Sequence, residues 1–236
     1  MDCSPGCSGP EAVTFSIVAR CAETQMFGVA IASSSPAVAA RCAHARAGAG
    51  AVASQNITDP SLGPRILDAL AQGKPAATAL REALSATEFG AFRQVLVVGA
   101  QGPGVVHSGA HALGLAGSAM GEHCAAAGNL LAREDVPAAM VLAFEAASGP
   151  FGVRLLQALR AGAGRGGEAG PIHSAGLLIV REVSWPIVDL RVDWSAQEPI
   201  AALAAVWEIY APQIDDYVRR AIDPKQAPSF GVPGNP

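Results

Sequence analysis

The sequence predicts an α+β fold, a four-layer α-β-β-α sandwich of two mainly antiparallel sheets, and three features lead to it. Strand-like segments arrive as neighbouring pairs, and helical segments also arrive in pairs between them, which argues against alternating βαβ units. Half of the 236 residues are hydrophobic, mostly Ala, Val and Leu, with 26 glycines and few aromatics, a composition suited to tight layers packed through small side chains.

The elements follow in order. Residues 1–13 (MDCSPGCSGPEAV) show no period and read as a disordered leader or a mis-assigned start. TFSIVAR from Thr14 to Arg20 alternates and is β-branched, a polar turn covers Cys21 to Gln25, and MFGVAIAS from Met26 to Ser33 closes a hairpin. A third strand is expected over Gly48–Gln55. Helices are expected at Leu62–Gln72 and Pro75–Ser85, the second opened by a proline where the first turn tolerates one.

Arg93–Val98 and Gly104–Ser108 form the next strand pair, and a short strand ends near Gly128. Asp135 is placed to cap a helix to Ala147 that carries Val136, Met140, Leu142 and Phe144 on one side, and Phe151–Arg160 extends that helical layer. After a glycine-rich loop, Ala161–Gly170, strands return at Ser174–Glu182 and Ile187–Asp193 around a turn with Trp185 and Pro186. A final helix spans about Pro199–Ala221. One domain, 14–223, and a Pro-rich tail, 224–236, result.

Several function classes are disfavoured. The net charge of -4 with no Lys/Arg run argues against nucleic acid as a partner, since phosphate binding needs a concentrated basic surface. Apolar stretches are far shorter than the ~20 residues a membrane helix needs. No basic-then-apolar signal opens the chain, so a cytoplasmic protein is expected. Five cysteines without CxxC spacing give no disulfide or zinc framework, and His44, His107, His111, His123 and His173 are scattered. No metal and no cofactor is expected, and no P-loop, GxSxG, HExxH or dinucleotide fingerprint is present.

Ser33, Ser34 and Ser35, at the end of the second strand before Pro36, offer a nucleophile or hydrogen bonds to a ligand, or simply turn chemistry. TFSIVAR, GVAIAS, GAGAVASQN, FRQVLVV, GNLLA and IHSAGLLIV, in that order from Thr14 to about Asp193, resemble the domain-of-unknown-function family 1028, which is assigned to the N-terminal-nucleophile (Ntn) hydrolase superfamily. The resemblance implies an exposed N-terminal threonine as catalyst. Members usually begin Met-Thr, whereas here Val13 precedes Thr14. Thr14 would be freed by a start at Val13 read from a GTG codon, or by self-cleavage of the Val13–Thr14 bond.

The resemblance also places Asn129, in the GN segment, as an oxyanion donor, and Arg93 with Gln94, in the RQ pair, toward a substrate carboxylate or in an ion pair with Glu82 or Glu145. Ser174, Gln55 and Asn56 are expected to line the same cleft. The implied activity is hydrolysis of an amide or related C–N bond in a small molecule, an anionic one if Arg93 faces it. Two alternatives are a non-catalytic binding or assembly protein on the same fold, and a hydrolase that uses Ser33–Ser35 or Cys21. A homo-oligomer, a dimer, is expected if the final helix turns Leu203, Val206, Trp207, Tyr210 and Tyr217 to a partner rather than to its own sheet.

Overall fold

The computed structural model describes residues 14–229, and the expected leader and the last seven residues of the tail lie outside them. Strand alternation organises everything that follows. In β1 (Thr14–Arg20), Phe15, Ile17 and Ala19 project to one face, and Thr14, Ser16, Val18 and Arg20 project to the other. β2 (Phe27–Ser33) and β8 (Cys124–Asn129) flank β1 antiparallel, in a register that sets Thr14 opposite Ser33 on one side and Asn129 on the other.

The first sheet is completed by β7 (Gly117–Met120), β9 (Ser174–Val180) and β10 (Val188–Val192), in the order β10-β9-β2-β1-β8-β7. A second sheet runs β3-β4-β5-β6, from β3 (Ala43–Arg46), β4 (Gly50–Asn56), β5 (Arg93–Gly99) and β6 (Val105–Ser108). All the pairings within both sheets are antiparallel. The fold is therefore α+β with two antiparallel sheets and helices against them.

Three apolar clusters hold these elements together. Phe15, Ile17, Ala30 and Leu177 meet α4 (Val136–Ala146), α5 (Phe151–Gly164) and α6 (Pro199–Tyr210) through Met140, Phe144, Leu155 and Leu203. Val18, Val29 and Ile31 meet Ala51, Ala53, Leu96 and Val98 of the second sheet. Val52, Val95 and Val97 meet Leu62, Ile66 and Leu80 of α2 (Leu62–Ala71) and α3 (Ala76–Ser85). Each large side chain fully buried here contributes roughly 1.5–3 kcal/mol. Gly152 permits the closest approach in the first cluster, because a Cβ there would lie 2.2 Å from the Trp207 ring.

Several expectations are corrected. Leu142 does not share the buried face with Val136, Met140 and Phe144 but is 68% exposed. Asp135 occupies the cap position of α4 without a cap hydrogen bond, and its carboxylate instead pairs with Arg133 and Arg165, which hold its pKa well below the usual range. The final helix is broken at Pro212 into α6 and α7 (Ile214–Ile222). Of its apolar face, Leu203 and Trp207 pack into the chain's own core, while Val206 and Tyr217 stay exposed. α1 (Val38–Cys42), β3 and β7 were not expected from the sequence. Among the described residues no helix is long and apolar enough to cross a membrane.

Candidate active site

The alternation that builds the cores brings polar side chains together at one end of the two sheets. On the first sheet, Thr14, Ser16, Ser33, Asn129 and Ser174 continue the rows of Val18, Ile31, Ala127 and Leu178 that face the second sheet. Gln55 and Gln94 continue the rows of Ala53 and Leu96 that face back. Apolar side chains thus fill the space between the sheets along most of its length, and the last layer is polar and buried.

Thr14 sits at the end of a chain of hydroxyls. Its Oγ1 lies 3.1 Å from Ser33 Oγ, which lies 2.8 Å from Ser35 Oγ. An Arg41 N–H donates to Ser35 Oγ at 2.6 Å, and the Ser35 backbone N–H donates to Ser33 Oγ at 3.0 Å. Either oxygen can donate in the Ser35–Ser33 and Ser33–Thr14 pairs, and one arrangement runs the protons from Ser35 to Ser33 and from Ser33 to Thr14. In that arrangement the Arg41 guanidinium polarises the relay toward Thr14 Oγ1 and leaves the threonine's own proton free to go to a base. Ser174 fixes the turn that carries the relay: its Oγ donates to the Ser35 carbonyl at 2.6 Å and accepts from the Val38 N–H at 3.3 Å.

A second network ties the two sheets together beside the relay. Ser16 Oγ donates to Gln55 Oε1 at 2.6 Å, and Gln55 Nε2 donates to Gln94 Oε1 at 2.8 Å. Asn129 Nδ2 donates to the same Gln94 oxygen at 3.3 Å. Gln94 Nε2 donates to Ser108 Oγ and to the Gly128 carbonyl, at 2.9 and 3.0 Å. Asn129 is fully buried, and its Oδ1 has no partner among the described residues.

Gln94 is the hub of this network, and Gln94→Leu is expected to strip partners from Gln55, Asn129 and Ser108 in one step. A buried polar group left unsatisfied costs about 1–3 kcal/mol, so a loss of about 3 kcal/mol or more is expected in urea unfolding. A loss under ~1 kcal/mol would mean that the network is not coupled.

Three of the expected residues, Arg93, Asn56 and Ser34, lie outside the cluster. Arg93 falls in the row of Val95 and Val97, which faces α2 and α3, and one of its terminal nitrogens donates to the Ile57 carbonyl. It makes no ion pair with Glu82, which pairs with Lys74. Asn56 lies on the same far face, with φ of 72°, and clamps the loop after β6: its Nδ2 donates to the Phe92 carbonyl at 2.7 Å and its Oδ1 accepts from the Leu113 N–H at 3.0 Å. Ser34 points its backbone N–H at Glu168 Oε2, 3.1 Å away.

Glu168 is the residue that sequence reasoning missed. It is 4% exposed, and burial pushes its carboxyl up to about 8, opposed by the Ser34 hydrogen bond. Its signal in the sequence was its isolation, an acidic residue inside a glycine-rich segment read as a loop. Arg41 was also missed, since nothing in the sequence around Val38 ties it to Ser35. Among the described residues no three His, Cys, Asp or Glu side chains gather to hold a metal. Four cavities of about 260–450 Å³ open elsewhere on the surface, and Thr14 lines none of these four.

Comparison with known proteins agrees with this picture at the level of family. The sequence model of a family of unknown function, DUF1028, matches residues 14–203. A crystal structure of a DUF1028 protein from Silicibacter pomeroyi is 30% identical, covers 88% of this chain and 91% of its own, and superposes with a TM-score of 0.81. Anbu, the ancestral beta-subunit from Yersinia bercovieri, is 14% identical over 86% of this chain and 97% of its own, with a TM-score of 0.35. No curated protein matches. The chain belongs to the DUF1028 family.

Proposed function

We propose that this DUF1028 protein is an Ntn hydrolase of four-layer α-β-β-α architecture that cleaves an amide or related C–N bond in a small molecule, with Thr14 as nucleophile. The observation that carries the reading is the relay from Arg41 through Ser35 and Ser33 to Thr14 Oγ1, which orients a threonine hydroxyl at the first residue of a central strand. A hydroxyl is a weak nucleophile at its free pKa, and the α-amine of an N-terminal threonine, near 7.7–8.0 unperturbed, takes its proton at neutral pH.

In this reading Thr14 Oγ1 attacks the carbonyl carbon and its proton passes to the α-amine. The tetrahedral oxyanion then collapses, the C–N bond breaks, and the leaving amine departs with that proton. Water attacks the resulting ester by the same route in reverse. Asn129 stands directly across the β1–β8 pair from Thr14 and has a second amide N–H to offer the oxyanion, a donor whose loss costs roughly 3 kcal/mol in related sites. With Arg93 on the far face of its sheet and the Arg41 guanidinium bonded to Ser35, the substrate proposed is a small neutral amide.

A second reading, a non-catalytic binding or assembly protein, is favoured by one observation: Thr14 is only 5% exposed and lines none of the four cavities. The two are separated by the intact mass and N-terminal sequence of the protein from its native host, followed by treatment with a simple β-lactone. A chain that begins at Thr14 and gains one lactone mass on that residue is expected. A native chain that begins at Met1 and stays unmodified would move the assignment to the binding protein.

A further inference from the structure

The segment that follows α5 is stitched to the end of β8, and this is what carries Glu168 into the site. Leu131 and Glu168 form an antiparallel bridge, the Ala169 N–H donates to the Leu130 carbonyl at 2.9 Å, and the Ala132 N–H donates to the Gly167 carbonyl at 3.1 Å. The carboxyl is left with one oxygen occupied and one idle. Oε2 accepts the Ser34 N–H, while Oε1 is buried and has no partner among the described residues.

Among the described residues no cation answers this carboxyl. Arg41 donates to Ser35, to Ala37 and to Pro36. His173, whose N–H binds the Ser33 carbonyl, turns its ring Nδ1 to the Ser195 carbonyl and stacks on Trp194. Arg133 and Arg165, on either side of the segment, share Asp135. Burial raises the proton affinity of Glu168 and the Ser34 bond opposes it. An idle buried oxygen marks a missing partner, and Asn129 Oδ1, opposite Thr14 on the other side of β1, is a second one.

The neighbouring strand supplies one. Ser33 lies opposite Thr14 in the β1–β2 register and gives its carbonyl to His173 on the β9 side, so the Ser34 N–H of the same trans peptide turns to the β1 side, and the Glu168 carboxyl it holds lies within about one strand spacing, ~4.8 Å, of the Thr14 backbone. We propose that Glu168 is the receptor for the α-amine of Thr14 once that amine is free: Oε1 accepts its hydrogen bond and holds it beside the Thr14 hydroxyl. This rests on the Thr14 reading above, and it makes Glu168 a positioning residue rather than one that touches substrate.

The chemistry of the pair is consistent with its task. A carboxyl raised to about 8 and an α-amine near 7.7–8.0 have matched proton affinities, so they titrate together and not as two independent groups. With both deprotonated, the amine donates N–H to the carboxylate and turns its lone pair to the hydroxyl. When it takes the hydroxyl proton, the ammonium forms against a negative charge.

The test compares the full chain from Met1 with a chain produced with Thr14 as its first residue, both labelled with ¹³C at the glutamate carboxyl. The Glu168 resonance, assigned by Glu168→Gln, is expected to titrate at least about one pH unit lower in the Thr14 chain, because a nearby ammonium favours the carboxylate. In the Thr14 chain, Glu168→Gln is expected to move the midpoint of the pH profile for β-lactone acylation down by about one unit, since the amine loses its counter-charge. A purely structural role would change the rate and leave that midpoint in place.

Identical Glu168 titrations in the two chains, with normal acylation of Thr14 and an unmoved midpoint in Glu168→Gln, would overturn the pairing and leave the hydrolase reading standing. A shifted carboxyl in a Thr14 chain that never forms an adduct supports the pairing and removes the hydrolase reading.

Discussion

In a chain whose first residue is residue 14, Thr14→Ala is expected to lower the rate of β-lactone adduct formation by a factor on the order of 10⁴ or more, since nucleophile deletions in hydrolases that act as a unit fall in that range. The fold should survive the change. Thr14 Oγ1 has Ser33 Oγ as its side-chain partner, and a typical net hydrogen bond is worth about 1 kcal/mol. Ser33→Ala, by contrast, cuts the relay from Arg41 and is expected to slow the adduct without abolishing it. Peptide mapping of the adduct checks both, and an undiminished rate in Thr14→Ala with the lactone on Ser33 would transfer the nucleophile to that residue. Cys21 does not compete for this site, because it lies past the opposite end of β1, seven residues and therefore ~20 Å away.

The two faces of β1 explain how much of this was legible. TFSIVAR alternates, so its strand, its hairpin with the next segment and the presence of two differently filled faces follow from the residues alone. Which face is which does not, and the resemblance that sets the RQ pair toward a substrate carboxylate or an ion pair does not separate Arg93 from Gln94. In RQVLVV the alternation separates Arg93, Val95 and Val97 from Gln94, Leu96 and Val98, but both rows are apolar after the first pair. Only the packing of Val95 and Val97 against α2 and α3 reveals that Gln94 faces Thr14's sheet and Arg93 does not.

The missed elements have a different cause. α1 and β3 together cover nine residues rich in alanine, too short for either period to register, and β7 is four residues, GSAM, with Gly117 at its start and Ser118 and Met120 exposed. They form because neighbours already in place accept them: β3 pairs with β4, β7 pairs with β8, and α1 packs on β9 where Gly176 leaves room for Ala39. Leu142 misled for a related reason. A helix as apolar as VPAAMVLAFEA offers several hydrophobic stripes, and the sheet selects the one through Val136, Met140 and Phe144. Glu168 was invisible because its burial comes from the bridge to Leu131, a contact 37 positions back along the chain, and not from anything in AGAGRGGEAG.

That burial has a consequence for stability in the full chain from Met1. Folded Glu168 gives up its proton at about 8, whereas the ordinary value is 4.5. Between those limits the folded chain keeps a proton that the unfolded chain has lost, so this group's contribution is fully present below pH ~4.5 and is lost as pH rises toward 8. The slope is about 1 kcal/mol per pH unit, or on the order of 3 kcal/mol between pH 5 and 8. Glu168→Gln removes it, because an amide keeps the Ser34 hydrogen bond at every pH. His44, whose burial lowers its pKa, stabilises with the opposite slope as pH rises through its folded value to about 6.5, and this cancels in the difference between the two proteins. Urea unfolding at pH 5 and pH 8 is therefore expected to find the two proteins nearly equal at the lower pH and Glu168→Gln more stable at the higher one. Parallel stabilities at both values would show that Glu168 is ionised in the folded chain at pH 5, and that a positive charge already answers it before Thr14 is freed.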